Sequence, residues 1–315
     1  MTTQIGPDAL AGIRKGERGR HDYVVDGPTF VLACAIYAAF LLLTGSYQLL
    51  PWYIVCPLTA IVIAAHGSLQ HEATHGYPTR WNGLNSFIAG WPLWLWLPYL
   101  EYRKTHLRHH IDENLTDPTT DPESNYLTQA QWEALSPLHR AARQAMRPLL
   151  GRMLIGPAYY TTMALQGFLL VLRSGNWQEL RPWLWHVPAV AIVLFWATHI
   201  CGIPVWVYVF GMAYPGTSLA LVRSFAEHRA HPTVAGRTVI CQAGPFWSLL
   251  FLYNNLHVIH HDEPALAWYK RQGRYLARRD ELAARDGAYL LTGYASLFAK
   301  YGLNPKEPLF HPTVH

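Results

Sequence analysis

Two stretches of this sequence repeat one arrangement of histidines. HLRHH occupies residues 106–110 and HVIHH occupies residues 257–261, and each is followed closely by an Asp-Glu pair. On a helix, positions i, i+3 and i+4 share one face, so each stretch presents three imidazoles in the same direction. Imidazole binds zinc, copper, iron and nickel. The sequence therefore predicts two triplets of metal ligands, namely His106, His109 and His110, and His257, His260 and His261.

A third histidine pair lies upstream, in HEATH at 71–75. By itself this is the HExxH pattern of zinc peptidases, in which His71 and His75 would hold zinc and Glu72 would act as general base. That interpretation leaves both triplets without a role and offers no third ligand of its own. A non-enzymatic metal carrier is the other alternative. A carrier needs its ligands inside membrane spans, whereas these clusters fall at the ends of apolar stretches.

The number of histidines narrows the choice of metal. The three clusters contain eight, and His228 in the stretch RSFAEHRAHP makes a ninth. One tetrahedral zinc takes four ligands, so we expect two iron ions with four or five ligands each and room for O2. His231 competes with His228 for the ninth place, and His66 also stays open as a ligand. The carboxylates of Glu72, Asp112 and Asp262 adjoin the clusters and are candidates for orienting ligand imidazoles.

Four apolar stretches are long enough to cross a bilayer, whose core of about 30 Å requires about 20 helical residues. They cover residues 28–47, 50–69, 183–201 and 204–222, and form two tight hairpins. All 25 Lys and Arg residues lie outside the hairpin turns. Because Lys and Arg concentrate on the cytoplasmic side of a membrane, we expect four spans with both termini and all the histidine clusters on the cytoplasmic face.

The remaining segments complete the expected architecture. The apolar segment 83–100 is broken by Pro92 and Pro98, which favours a re-entrant or interfacial helix over a fifth span. We also expect 155–172 to lie at the membrane surface. The predicted fold class is an all-α integral membrane protein, with four transmembrane helices and a cytoplasmic helical cap that carries the histidines. Its parts are a cytoplasmic tail at 1–27, a membrane domain at 28–269 and a charged cytoplasmic segment at 270–315.

The three clusters HEATH, HLRHH and HVIHH, in this order and flanked by two apolar hairpins, resemble the three histidine boxes of the membrane fatty acid desaturase and hydroxylase superfamily. The resemblance covers residues 28–269. It implies a non-haem di-iron centre on the cytoplasmic side, with the eight box histidines as ligands and His228 as the additional one. The first box has the HxxxH spacing, which resembles that of bacterial members.

The resemblance also implies an activity and partners. We expect an oxidoreductase that uses O2 to break an unactivated C–H bond, because this step needs an oxidant that no side chain provides. Fatty acyl desaturation is the leading expectation, and hydroxylation of an acyl chain or another apolar molecule is the alternative. The family's fused haem donor carries HPGG, whereas this chain has HPTV at 231–234. Electrons are thus expected from a separate ferredoxin, rubredoxin or cytochrome with its reductase.

Overall fold

The computed structural model describes residues 24–111 and 114–312, and most of them are helical. The first hairpin consists of α1 (Gly27–Gly45) and α2 (Trp52–Thr74). Asp26 caps α1, since its carboxylate accepts a hydrogen bond from the backbone N–H of Thr29 at 3.1 Å. Pro28 lies in the first turn of α1, where proline is tolerated because the N–H it lacks would have no helical partner.

The segment after α2 carries no spanning helix. Helix α3 (Asn82–Ala89) has only eight residues and is followed by an irregular loop rich in tryptophan and proline. Helix α4 (Tyr99–His109) begins directly after Pro98. The proline-broken interpretation of residues 83–100 agrees with this arrangement, because a proline prevents the residue before it from continuing a helix.

The middle of the chain contains two short helices, α5 (Gln129–Ala134) and α6 (Pro137–Ala145), followed by three long ones. The long helices are α7 (Leu149–Ser174), α8 (Trp177–Ile200) and α9 (Val205–Glu227). Helix α8 ends in a π-helical turn at Trp196–Ile200, and α9 contains another at Tyr208–Ala213. In these wider turns the backbone hydrogen bonds depart from the regular α-helical pattern.

The chain is not entirely helical. Two strands, β1 (Val239–Cys241) and β2 (Tyr289–Leu291), pair in parallel and form a small sheet. Around them lie α10 (Pro245–Leu250), α11 (His257–Asp262), α12 (Trp268–Ala283) and α13 (Tyr294–Tyr301). The described chain is mostly helical, as predicted, but the sequence analysis did not foresee this small sheet, because three-residue strands leave too short a pattern to be distinguished from loop.

Five helices of the described chain are long and apolar enough to cross a membrane, one more than the four predicted. The additional candidate is α7, where we expected a shorter surface helix at 155–172. It is a continuous helix of 26 residues, and only 11% of its most apolar window is buried in the protein. Its sequence mixes apolar residues with Arg152 and Arg173, which made its length hard to predict. The predicted count of four is therefore not confirmed.

Helix α2 lies at the centre of the bundle and packs closely on α9. A Cβ atom added to Gly216 would lie 2.7 Å from Cγ2 of Ile63 and 3.0 Å from the carbonyl oxygen of Ala60. The glycine therefore permits an approach that no other residue allows at this crossing. Because α2 and α9 both end at the histidine clusters, their contact fixes the position of the clusters relative to one another.

We expect Gly216→Ala to destabilise the protein by about 1–3 kcal/mol, because the added methyl group overlaps Ile63 and the backbone of α2. The control is Gly211→Ala in the same helix, whose Cβ would make an ordinary contact of 3.4 Å with Cys56. Thermal unfolding of both variants in detergent measures the difference. A melting temperature of Gly216→Ala equal to that of the control would contradict close packing at this site.

Candidate metal centre

Nine histidines converge in two groups, and they are the nine that the sequence predicts as ligands. In each group, one ring nitrogen from every histidine lies within 4.8 Å of the others. The first group consists of His71, His75, His106, His110 and His260, and the second of His109, His228, His257 and His261. The triplet at 106–110 and the triplet at 257–261 are each divided between the groups, which the sequence did not predict.

The histidines of the first two boxes and His228 lie at helix C-termini. His71 belongs to the last turn of α2, and His75 follows directly. His106 and His109 belong to the last turn of α4, and His228 follows α9. Each helix C-terminus carries a partial negative charge of about half an elementary charge. Three such ends at one place favour a bound cation.

Facing Nε2 atoms in the first group are separated by short, nearly equal distances. His106 lies 3.1 Å from both His75 and His110, and His110 lies 3.0 Å from His260. In the second group, His228 lies 2.9 Å from His109 and 3.0 Å from His257. Metal–nitrogen bonds of about 2.1 Å place neighbouring nitrogens about 3.0 Å apart at right angles and about 3.4 Å apart in a tetrahedron. The spacing therefore fits metals with five or six ligands better than tetrahedral zinc.

Carboxylates hold the other nitrogen of three rings. Nδ1 lies 3.0 Å from Glu123 in His106, 2.9 Å from Asp121 in His109 and 3.1 Å from Glu72 in His71. A carboxylate accepts a hydrogen bond, so the proton of each neutral ring is on Nδ1. The lone pair is then on Nε2, where it faces the other histidines.

Asp121 and Glu123 belong to the segment NLTDPTTDPESN at 114–125, which the sequence analysis did not connect with the histidines. Asp121 is itself fixed by the backbone N–H groups of Thr116 and Glu123, each at 2.8 Å. The loop therefore positions His106 and His109. Its regular spacing of Asp and Pro residues gave no signal for this role, because the contact with the histidines is tertiary.

Glu72 forms a buried ion pair with Arg271 of α12. The guanidinium group lies 2.8 and 2.9 Å from the two carboxylate oxygens, and both side chains are fully buried. Arg271 also donates to the carbonyl oxygen of Leu252 at 3.0 Å. It thus links the first histidine box to the segment that precedes the third, and no sequence pattern pointed to it.

A second buried network lies behind the other group. Asn254 donates to Glu227 at 2.9 Å, and its amide oxygen lies 3.3 Å from Nδ1 of His257. The amide nitrogen of Asn254 lies 3.4 Å from Nε2 of His71, between the two groups. Arg223 pairs with Glu227 at 3.0 Å. The network fixes the ring of His257 and neutralises the buried Glu227 carboxylate.

Burial sets the charge of most of these rings. Desolvation lowers the pKa of His75, His110, His228 and His260 well below the ordinary value, so these imidazoles are neutral. Burial also acts to lower the pKa of His109, but the carboxylates of Glu123 and Asp121 outweigh it and raise this pKa to about 9. Because a ligand imidazole must give up its Nε2 proton, a metal bound at His109 displaces a proton.

Other predicted residues lie elsewhere. Asp262 pairs with Arg278 at 2.8 Å and with Arg285 at 2.7 Å, so it does not orient an imidazole as we expected. Asp262 is the last residue of α11, and its side chain faces α12. It therefore meets arginines there and not the ring of a histidine. His66 lies 3.0 Å from the hydroxyl of Tyr37, and His231 is half-buried beside Thr233. Neither belongs to the two groups. Asp112 lies outside the described residues.

Comparison with known protein families agrees with this geometry. The sequence profile of the family described as Fatty acid desaturase matches residues 49–292. The chain belongs to the fatty acid desaturase family. The match includes all three histidine boxes and His228. None of the curated proteins matches the chain.

Membership in the fatty acid desaturase family makes the chain an oxidoreductase of the kind that acts on fatty acids. The long apolar helices agree with a multi-pass membrane protein, as the sequence analysis predicts. The two histidine groups are compatible with a metal site in such an enzyme.

We expect Arg271→Met to lower the free energy of unfolding by about 3–5 kcal/mol, because it leaves the Glu72 carboxylate buried without a partner. Without Arg271, Glu72 would hold the ring of His71 less firmly. We therefore also expect the metal affinity to fall by about 10–100-fold. The control is Arg274→Met in the same helix. It breaks an ion pair with Glu263 in which the arginine side chain is 47% exposed. That change costs less than about 1 kcal/mol.

Thermal unfolding and metal content of the two variants, purified in parallel, test the role of Arg271. Equal melting temperatures and equal metal contents would show that the buried pair supports neither the fold nor the site.

Proposed function

We propose that this chain is an O2-dependent non-haem di-iron oxidase that acts on an unactivated C–H bond of a lipid-like substrate. Fatty acyl desaturation is the leading reaction, and hydroxylation of an acyl chain or another apolar molecule is the alternative. The observation that carries the proposal is the convergence of nine histidines, seven of them buried and two half-buried, in groups of five and four. The family match adds the class of chemistry.

The residues fit two irons. His71, His75, His106, His110 and His260 would hold one ion, and His109, His228, His257 and His261 would hold the other. Two irons supply the means to reduce O2 and to oxidise a C–H bond, which side chains lack. The protein contributes imidazoles, most of them neutral, and carboxylates fix the tautomers of His71, His106 and His109. Burial of the ligands excludes water, and so protects the oxidant from competing reactions.

Glu72 is poorly placed to be the general base of a zinc peptidase. Its two oxygens are held by Arg271 on one side, and Oε1 also lies at Nδ1 of His71 on the other. A base of that class must be able to take a proton from metal-bound water. The contacts of Glu72 instead support a role in orienting a ligand.

We further propose that α1, α2, α8 and α9 cross the membrane and that α7 lies along it on the side of the metal centre. The turn after α1 meets the turn after α8, because Gln48 donates to the carbonyl oxygen of Gly202 at 3.0 Å. Helix α8 therefore starts on the opposite side, beside the end of α7. The start of α7 is near the site as well, since Arg152 donates to Asn125 at 2.8 Å.

The face that carries the metal centre is cytoplasmic in this proposal, because Lys and Arg residues lie on that side of both hairpins. Reduction of O2 at the site requires electrons from outside. A separate ferredoxin, rubredoxin or cytochrome with its reductase would supply them on the cytoplasmic face. The net charge of +5 is compatible with an acidic donor protein and with anionic lipid head groups.

Elemental analysis of protein produced in iron-sufficient medium should find about two irons per chain, as the two groups of ligands require. His109→Ala and His260→Ala each remove a ligand from a different group, so both should lower bound iron and abolish substrate oxidation. His199→Ala is the control, because His199 is exposed, lies far along the chain from the boxes and contacts Thr198 and the ring of Phe195.

One zinc and no iron, even after reconstitution with iron, would contradict the di-iron proposal. Full activity in His109→Ala or His260→Ala would remove that histidine from the ligand set.

Labelling with a membrane-impermeant thiol reagent tests the topology. In a Cys34→Ser background the other native cysteines are buried. We expect Ser46→Cys, in the turn after α1, to react in intact cells. Ser174→Cys, at the end of α7, should react only after lysis. Reaction of Ser174→Cys in intact cells would show that α7 crosses the membrane.

A further inference from the structure

A pocket of about 50 Å³ lies beside the second histidine group, between the loop at 116–126, the start of α7 and the segment that follows α13. Glu123 and His228 form part of its wall, so the pocket adjoins the metal centre. The proposed oxidation gives no role to the other polar side chains of this wall. Four of them are cationic, namely Arg143, Arg147, Arg152 and Lys306. We refer to this cavity as the basic pocket.

Shared contacts bring the cations of the basic pocket together. Arg143 donates to the carbonyl oxygen of Asn125 at 2.6 Å, and Arg152 donates to the amide oxygen of the same residue at 2.8 Å. Cζ of Arg152 and Nζ of Lys306 each lie 5.5 Å from the ring centroid of Phe225. Asn125 and Phe225 both line the pocket, so these three positive charges surround one small space.

Neutral oxygen atoms hold all four cations in place. Besides the two arginines on Asn125, Arg147 donates to a backbone carbonyl oxygen at 3.3 Å, and Lys306 donates to that of His228 at 2.6 Å. None of the four forms an ion pair with a carboxylate of residues 24–111 or 114–312. Arg143 and Arg152 are nevertheless only 9% and 8% exposed. Buried charges normally have a partner of opposite charge, because their loss of hydration is costly.

The three carboxylates in the wall have other partners. Asp121 and Glu123 each lie at Nδ1 of a ligand histidine, at 2.9 and 3.0 Å. Glu307 accepts a hydrogen bond from the hydroxyl of Tyr126 at 3.0 Å. Four cations against these three carboxylates leave the basic pocket with an excess of positive charge.

We infer that the basic pocket binds a small oxyanion, which is either free phosphate or the carboxylate or phosphate head group of an apolar molecule. Guanidinium groups present pairs of N–H donors that match the oxygens of carboxylate and phosphate. The volume leaves space for roughly three to five water-sized groups, which fits such an anion and excludes a nucleotide. The wall reaches the protein surface at the half-buried Arg147 and the exposed Pro308, so a ligand can enter there.

The position of the basic pocket connects a bound anion with both histidine groups. Lys306 contacts the backbone of His228, which belongs to the second group, and Glu123 holds the ring of His106 in the first. Negative charge at this distance stabilises bound cations. The binding site itself does not depend on which reaction the metal centre performs. The head-group source fits the proposed topology, in which α7 lies along the membrane and begins at this pocket.

Isothermal titration calorimetry on the metal-loaded protein in a non-ionic detergent tests the inference. The ligands are inorganic phosphate, hexyl phosphate and hexanol, with chloride as the background anion at constant ionic strength. We expect both phosphates to bind and hexanol not to bind. Equal affinities for the two phosphates would assign the site to the free anion. An affinity at least tenfold higher for hexyl phosphate would assign it to a head group.

Variants of α6 assign the binding to the basic pocket. Arg143→Met should weaken phosphate binding about 10–100-fold, which corresponds to one hydrogen bond to a charged group. Arg143→Lys keeps the charge and should retain part of the affinity. The matched control is Arg140→Met. Arg140 also donates to backbone carbonyl oxygens, those of Trp132 and Glu133 at 3.0 and 2.6 Å, but it does not line the pocket.

Iron content and melting temperature of each preparation report correct folding. If Arg143→Met fails to fold, Arg147→Met provides the same comparison at the half-buried mouth of the pocket. Here too we expect weaker phosphate binding than in Arg140→Met.

Three results would each overturn the inference: no binding of either phosphate above the chloride background, equal binding of hexanol and hexyl phosphate, or undiminished phosphate binding in the folded pocket variants. Anion binding requires no turnover, so its outcome is separate from the test of the proposed function. Phosphate binding that depends on Arg143, in a protein without iron or oxidase activity, would overturn the di-iron proposal and leave the anion site standing. Iron and activity without anion binding would do the reverse.

Discussion

The structure depends on placing the lone pairs of nine imidazoles against one another. Lone pairs on Nε2 atoms about 3.0 Å apart repel unless a proton or a metal ion lies between them, and each ring must give up its Nε2 proton to bind a metal. Burial supplies the neutral form, because charging an imidazole in this interior costs more than in water. Carboxylates at Nδ1 fix the tautomer of three rings. The helix ends and the buried ion pairs around the site hold the rings in this arrangement.

The scaffold holds the ligands at the ends of rigid helices. The C-termini of α2, α4 and α9 meet at the site, and the close contact at Gly216 keeps α2 and α9 in register. Arg271 then connects Glu72 to the segment before the third box. The site therefore depends on α12, although the many charged residues of this helix are typical of a solvent-exposed segment.

The candidate metal centre lies at one end of a bundle of long apolar helices. Trp94 lines the apolar cavity of about 300 Å³ between α7, α8 and α9. Its ring also packs on Gly67, one turn before His71 in α2.

The sequence by itself determined which nine histidines converge, the order of the boxes and most of the apolar helices, because histidine spacing on a helix and the length of an apolar stretch are local properties. Only the tertiary structure decided how the histidines divide between two groups, since His109 and His110 are adjacent in sequence but point to different partners. It also assigned Asp121, Glu123 and Arg271 to the site and Asp262 to surface ion pairs. A carboxylate finds its imidazole or guanidinium through packing between distant segments, and no local pattern encodes that contact.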